Sequence, residues 1–113
     1  MKIHLLRDAA TAEQVAEMLQ ALQTYIKLAA DIERHVVAGG GTMHADCESV
    51  LLQDGSKQED IWGADWDPSA REVHFEALIN IRPRQNNRSM IIQDPEIRKR
   101  VDSLVRRICA GTQ

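Results

Sequence analysis

Hydrophobic residues recur along the chain with two periods, and the change of period separates a predicted helix from predicted strands. Between residues 12 and 37 they follow the three-to-four-residue spacing of an amphipathic helix. The stripe includes Val15, Leu19, Leu22, Ile26, Ala29 and Val36. Thr11 and Gln14 form a capping-box pattern at its start, and glycines 39–41 suit its end. The pattern predicts a helix of residues 12–37, roughly 39 Å long at 1.5 Å per residue.

After the glycines the period becomes two, which is typical of β-strands with one buried face. The alternating segments are residues 42–52, 58–66 and 71–82. Turn signals at Asp54-Gly55 and Asp67-Pro68 separate them. Because short turns join antiparallel strands, these segments predict an antiparallel meander. Residues 3–6 predict a short edge strand.

A second, shorter helix is predicted near the C-terminal end. Asp94 and Pro95 suit the N-cap and the first helical position. The apolar stripe consists of Ile97, Val101, Leu104, Val105 and Ile108. The predicted order is therefore β-α-β-β-β-α, an α+β fold with both helices on one face of the meander. Residues 1–113 suit a single domain.

The sheet face that the predicted helices leave open carries residues suited to a binding site. A three-residue turn after the first meander strand places Asp46, Ala64 and His74 in one row. Trp62 and Trp66 then lie about 7 Å to either side of Ala64. They would form the aromatic walls of a small notch. A notch with apolar walls and convergent polar groups is typical of a small-ligand site.

Acid–base or metal chemistry on this face is predicted for Asp46, Glu48 and His74. A carboxylate beside a histidine can act as a general acid–base pair. The same groups are usual ligands of a divalent metal. A satisfied polar network explains them equally well, so the residues leave open whether the chain is an enzyme. Hydrolysis is the reaction that best suits this donor set, although the sequence offers no evident nucleophile.

Basic, aromatic and amide side chains nearby predict that a small anionic ligand binds to this face. Guanidinium groups suit carboxylate and phosphate. Arg84 and Arg88 lie in a polar loop and are free to meet a ligand, whereas internal pairing suits Arg82 on its strand. The predicted ligand-binding residues are His44, Trp62, Trp66, Asn80, Arg82, Arg84, Asn87 and Arg88.

Two other kinds of partner remain as alternatives. The first is a protein–protein interaction module or homo-oligomer that uses the Trp-rich face and the long helix. The second is nucleic acid, because residues 81–113 hold 8 of the 14 basic but only 3 of the 17 acidic residues. The net charge of −3 argues against it.

The composition predicts a cytoplasmic protein without a membrane segment. No apolar run approaches the ~20 residues that cross a bilayer. Charge at Lys2 and Arg7 comes too early for a secretory signal. Cys47 and Cys109 have no paired-motif spacing and are expected to be reduced thiols, with Cys47 in the core.

A set of short motifs makes the chain resemble a bacterial family known only as a domain of unknown function. The motifs are Asp31-Ile32-Glu33, Gly39-Gly40-Gly41, His44-Ala45-Asp46-Cys47-Glu48, Gly55-Ser56-Lys57-Gln58, Asp60, Trp62-Gly63, Ile79-Asn80-Ile81-Arg82-Pro83, Asn87-Arg88-Ser89 and Asp94-Pro95-Glu96-Ile97-Arg98. Cys47 departs from the family pattern, where alanine is usual. The resemblance implies that the polar face and residues 82–88 form the family's common surface, and it implies no activity.

Overall fold

The computed structural model describes residues 2–110, which form a five-stranded antiparallel sheet with helices on both faces. The strands are β1 (His4–Leu6), β2 (Ile26–Asp31), β3 (Val36–Gly41), β4 (Ile61–Asp67) and β5 (Glu72–His74). The helices are α1 (Ala12–Leu19), α2 (His44–Gln53) and α3 (Pro95–Cys109). The strand order is β1-β3-β2-β4-β5. The α+β class and the antiparallel sheet are confirmed, whereas the chain order is β-α-β-β-α-β-β-α.

Two apolar layers enclose the sheet. Leu28 and Trp66 belong to the layer that contains Val105 of α3. Ala29 and Ile61 belong to the layer that contains residues of α2. Because successive side chains of a strand point to opposite faces, β2 and β4 are buried on both sides. The predicted open face is therefore wrong.

The predicted helix of residues 12–37 is wrong beyond Leu19. Its start is confirmed, since the Gln14 amide donates to Thr11 Oγ1 at 3.1 Å and the Thr11 amide donates to Gln14 Oε1 at 2.9 Å. The chain then returns as the β2–β3 hairpin. A strand buried on both faces is a continuous apolar run, and such a run also satisfies helical spacing.

The three glycines lie in β3 and do not follow a helix. The pairing register shifts between Lys27 and Leu28, opposite Gly40, whose φ is 106°. A Cβ on Gly40 would lie 2.5 Å from the carbonyl oxygen of Lys2. Position 40 therefore requires glycine for two reasons. The bulge needs a positive φ, and the backbone of Lys2 lies too close to leave room for a side chain.

The strand predicted at residues 42–52 is the helix α2. Its buried residues, Cys47 and Leu51, are four positions apart, as one face of a helix requires. The alternation of apolar and polar residues that predicted a strand here does not correspond to a strand in the structure. Three polar residues that were expected on a sheet face lie instead in the first turns of α2. They are His44, Asp46 and Glu48.

The strand predicted at residues 71–82 is confirmed only at Glu72–His74. Residues 77–92, which we call the edge segment, then run beside β4 without regular pairing. There the side chain of Asn80 forms the hydrogen bonds with the backbone of β4 that a neighbouring strand would otherwise form. Its Oδ1 accepts from the Gly63 amide at 2.8 Å, and its Nδ2 donates to the Gly63 carbonyl at 3.0 Å.

The C-terminal helix is confirmed as α3. Asp94 accepts hydrogen bonds from the backbone amides of Glu96 and Ile97, and Pro95 is the first helical residue. The predicted stripe faces the sheet, with Val101, Leu104, Val105 and Ile108 buried and Ile97 packed at its margin.

A pH-dependent contribution to stability is expected from Asp54, at the C-terminal end of α2. A hydrogen bond from Arg34, at 2.7 Å, is the main reason that the pKa of Asp54 lies below its ordinary value of 3.8, and Arg7 adds to it. The ionised form is thus favoured by folding, so the stabilisation is present above pH 3.8 and is lost as the pH falls through the lowered pKa. Thermal melts of Asp54→Asn should show a lower melting temperature than wild type at pH 7, and the gap should close in acid. A gap independent of pH would contradict this assignment.

Candidate functional site

A cleft of about 350 Å³ opens beside the N-terminus of α2, and we call it the His44 cleft. Its polar lining consists of Tyr25, Lys27, His44, Asp65 and Glu76. Its apolar wall includes Met43, Leu78 and Met90, which are 55%, 67% and 37% exposed. Large apolar side chains with such exposure often mark a surface that binds something.

A histidine–carboxylate pair lies at the centre of this cleft. His44 Nε2 is 2.8 Å from Asp65 Oδ1 and 3.2 Å from the carbonyl oxygen of Ala64. The side chains of His44 and Asp65 are only 10% and 16% exposed. A carbonyl oxygen and a carboxylate only accept hydrogen bonds, so Nε2 carries a hydrogen. Within residues 2–110, Nδ1 of His44 has no hydrogen-bond partner.

The backbone places these two residues together from opposite sides. His44 is the first residue of α2, which packs across β2 and β3. Asp65 lies on the α2 side of β4, directly opposite Lys27 of β2 and His74 of β5. A polar row therefore crosses three strands, but it is not the predicted one. Its members are Lys27, Asp65 and His74, whereas the predicted row of Asp46, Ala64 and His74 is wrong.

A smaller cleft of about 250 Å³ shares Asp65 and Tyr25 with the His44 cleft. It is also lined by Asp67 and His74. The carboxylates around the two clefts are Asp65, Asp67 and Glu76, and the accompanying lysine is Lys27. This excess of negative charge disfavours an anionic ligand and favours a neutral or cationic one.

Sequence comparison assigns the chain to a family. A model of the family described as "Protein of unknown function (DUF5674)" matches residues 4–108. The chain belongs to this family. The resemblance to a family of unknown function is thereby confirmed, while the bacterial origin and the motif pattern stay predictions. No match was found among curated proteins or among solved structures.

In this family member, the guanidinium group of Arg82 is committed to internal partners. It donates to the carbonyl oxygens of Ile79, Gln58 and Ile61, the first two at 3.0 and 2.6 Å. It also lies 3.6 Å from a Glu48 carboxylate oxygen. Burial lowers the pKa of Arg82, and Glu48 opposes that shift. The sequence favoured internal pairing for Arg82, and the structure agrees.

Asn80 and Asn87 are likewise buried and hold the edge segment together. Asn87 Nδ2 donates to the carbonyl oxygens of Asn80 and Ile91 at 2.8 and 3.1 Å, and its Oδ1 accepts from the Gln93 amide at 2.8 Å. Ligand contact through these two amides would require breaking such bonds. Arg84 and Arg88 are exposed and form no ion pair within residues 2–110.

Trp62 and Trp66 are each 1% exposed and belong to the core beneath α3. They share one face of β4 with Ala64, as the alternation predicted, but that face is covered. The proposed aromatic notch and the Trp-rich interaction face are therefore both wrong, because α3 packs where solvent was expected.

The predicted acid–base residues are separated in the fold. Glu48 faces Arg82, and His74 lines the smaller cleft. Asp46 lies in the first turn of α2 and is half-buried. Within residues 2–110, no group of three or more His, Cys, Asp or Glu side chains is arranged to hold a metal ion. The sequence left the cofactor open, with a divalent metal as one possibility, and this part of the chain offers no site that supports a metal.

Neither thiol is suited to nucleophilic chemistry. Cys47 and Cys109 are buried and unpaired. Burial raises the pKa of Cys47 to about 11 and that of Cys109 to about 12. Both thiols stay protonated at neutral pH, and Cys47 lies in the core as expected.

Sequence reasoning missed Asp65, the centre of the polar row. The sequence does contain a signal for it. Asp65 is an acidic residue within a predicted strand, on the face opposite to Trp62, Ala64 and Trp66. Among residues 2–110, no helix is long and apolar enough to span a membrane. The cytoplasmic location stays a prediction.

Proposed function

We propose that the protein binds a small ligand in the His44 cleft and that His44 acts there as a general base, accepting a proton from the ligand or from a water molecule beside it. One observation carries the proposal: His44 Nε2 is engaged by Asp65 at 2.8 Å, while Nδ1 has no partner within residues 2–110. A neutral imidazole with a fixed Nε2–H offers the lone pair of Nδ1 as a base. Asp65 orients the ring and stabilises the imidazolium that proton transfer would form.

The charges and the apolar wall narrow the class of ligand. The carboxylates of Asp65 and Glu76 outnumber the single ammonium group of Lys27 in the cleft. A hydroxyl or amine would donate to Nδ1, and an apolar part of the ligand would contact Met43, Leu78 or Met90. We therefore expect a neutral or cationic ligand in this cleft, in contrast to the anionic ligand that the sequence predicted for the polar face.

Hydrolysis is the reaction class that this arrangement supports best. A water molecule between His44 Nδ1 and a bound ester would give a proton to Nδ1 while its oxygen forms a bond to the carbonyl carbon, and the bond from that carbon to the leaving oxygen would break. The imidazolium would then return the proton to the leaving group. The proposal needs no thiol and no metal, and it agrees with the hydrolytic chemistry suggested for the predicted acid–base residues.

The tautomer of His44 tests the proposal before any ligand is known. Long-range ¹H–¹⁵N NMR spectra should show that the neutral ring of His44 carries its hydrogen on Nε2 and has an unprotonated Nδ1. Asp65→Asn should weaken this preference, while Asp67→Asn, a matched change in the neighbouring cleft, should leave it unchanged. Hydrogen on Nδ1 would contradict the proposal, because the ring could then not accept a proton at that atom.

A thermal-shift screen with small amines, polyols and esters tests ligand binding itself. A ligand present at 100 times its Kd should stabilise the wild type by about 2.7 kcal/mol. We expect such hits to disappear in His44→Gln and to persist in His74→Gln, which alters a histidine outside the His44 cleft.

A second candidate function, self-association, is favoured by the exposure of Leu78 and Ile81, which are 67% and 44% exposed. If the screen gives no hit and light scattering detects a dimer that Leu78→Ser disperses, the apolar wall serves self-association. That result would overturn the ligand proposal.

A further inference from the structure

A groove of about 330 Å³ lies between α3 and the turn that joins β2 to β3, and we call it the basic groove. Its polar lining includes His35, Lys99, Ser103 and Arg107. Ile32 and Leu104 contribute apolar surface, and Arg100 and Glu96 complete the lining. Because α3 and α2 cover opposite faces of the sheet, the groove is separate from the His44 cleft.

Helical spacing aligns three of these side chains. Lys99, Ser103 and Arg107 follow one another at intervals of four residues, which places them on one stripe of α3. Four residues advance a helix by roughly 6 Å. The long side chains of Lys99 and Arg107 can therefore approach the hydroxyl of Ser103 from the two adjacent turns.

The opposite wall of the groove is held by hydrogen bonds. Arg100 Nη2 donates to the carbonyl oxygen of Ile32 and to a carboxylate oxygen of Glu33, both at 2.8 Å. Asp31 Oδ1 accepts from the backbone amides of Glu33 and Arg34, both at 2.9 Å. These bonds fix the turn against α3. His35, at the end of that turn, has a φ of 58° and lines the groove.

Positive charge is concentrated in this groove, although the chain as a whole carries −3. Glu33 offsets Arg100, and Glu96 is the one carboxylate in the lining. Lys99 forms no ion pair within residues 2–110, and Arg107 has only a 3.5 Å contact with the carbonyl oxygen of Arg7. These two cations remain for a ligand.

Neighbouring cations of α3 are engaged outside the groove. The guanidinium carbon of Arg98 lies 5.0 Å from the ring centre of Phe75. Arg106 donates to both carboxylate oxygens of Asp102 at 3.1 Å. The available positive charge of α3 is therefore confined to one groove, which favours a small anion over the extended backbone of a nucleic acid.

We propose that the basic groove binds the phosphate group of a small ligand. Lys99 and Arg107 pair with the phosphate, and the hydroxyl of Ser103 and the ring of His35 donate hydrogen bonds to it. The apolar surface of Ile32 and Leu104 receives the carbon portion. This site is independent of the proposed function at His44.

An NMR titration of the ¹⁵N-labelled protein with inorganic phosphate and with phenyl phosphate tests the site. We expect saturable shifts at Ser103 and His35 and tighter binding of phenyl phosphate, whose ring can cover the apolar surface. The double variant Lys99→Gln/Arg107→Gln should raise the Kd at least tenfold. The control Arg98→Gln/Arg106→Gln removes the same charge from α3 and should change the Kd less than twofold.

Three outcomes would overturn the proposal. Shifts that do not saturate would mean that no site exists. An equal rise of the Kd for phosphate in both double variants would mean that only the general charge of α3 attracts phosphate. Binding of a 20-base-pair DNA duplex that both variants weaken equally, with a steep dependence on salt, would identify a nucleic-acid surface instead.

Discussion

Replacing Asn80 with alanine is expected to lower the free energy of unfolding by about 3–5 kcal/mol, because several buried polar groups would lose their partners together. The Asn80 side chain is fully buried and bonds both backbone groups of Gly63. Its Nδ2 also lies 3.3 Å from the Phe75 carbonyl oxygen and 3.2 Å from that of Met90. One side chain thereby satisfies the edge of β4 and anchors the edge segment, which carries Leu78 of the His44 cleft.

Urea denaturation with matched variants measures this contribution. Asn80→Asp keeps the shape but directs a carboxylate oxygen toward three carbonyl oxygens, so it should be at least as harmful as Asn80→Ala. Asn86→Gly, which removes an exposed amide of the same segment at a φ of 62° that glycine adopts without strain, should cost much less than Asn80→Ala. A loss below about 1 kcal/mol in Asn80→Ala would show that water satisfies these backbone groups instead.

Replacing Trp66 with alanine is expected to lower the free energy of unfolding by about 3–5 kcal/mol, the usual range for a large aromatic residue removed from a core. Trp66 is 1% exposed and lies in the layer with Val105 and Ile108 of α3. The guanidinium carbons of Arg71 and Arg106 lie 6.0 and 5.8 Å from its ring centre. The substitution would leave a cavity between β4 and α3.

Denaturation and light scattering together show whether Trp66 belongs to the core or to the interaction face that the sequence predicted. Leu78→Ala, at an apolar residue that is 67% exposed, should change stability by no more than about 0.5 kcal/mol. Trp66→Ala should be strongly destabilised with no change in oligomeric state at temperatures where it is folded. An unchanged unfolding free energy, with loss of an oligomer, would contradict the assignment of Trp66 to the core.

The candidate site was only partly predictable from sequence. His44 was included among the ligand-binding residues, and His74 was expected in a row across three strands, although with Asp46 and Ala64 as its other members. His44 was assigned to a strand, however, and Asp65 was not considered, so the pair at 2.8 Å could not be anticipated. The pair depends on the packing of α2 over the β2–β4 part of the sheet, which is a contact between residues 21 positions apart in the chain.

Local chemistry by itself determined where two helices begin and which face of one strand its two tryptophans share. Thr11 and Gln14 cap the start of α1, and Asp94 caps the start of α3 by accepting from the backbone amides of Glu96 and Ile97. These hydrogen bonds all lie within three residues of the cap. The common facing of Trp62 and Trp66 follows from the two-residue period of a strand. These features need no information from distant residues, so they could be predicted correctly.

Only the tertiary structure decided which faces are buried. Hydrophobic periodicity identifies an element when one side meets solvent, but β2 and β3 are covered on both sides and therefore present continuous apolar runs. The same runs fit a helix, and the three glycines after them fit a helix end. The choice depends on whether distant helices cover both faces of a strand, and that burial is a property of the assembled fold.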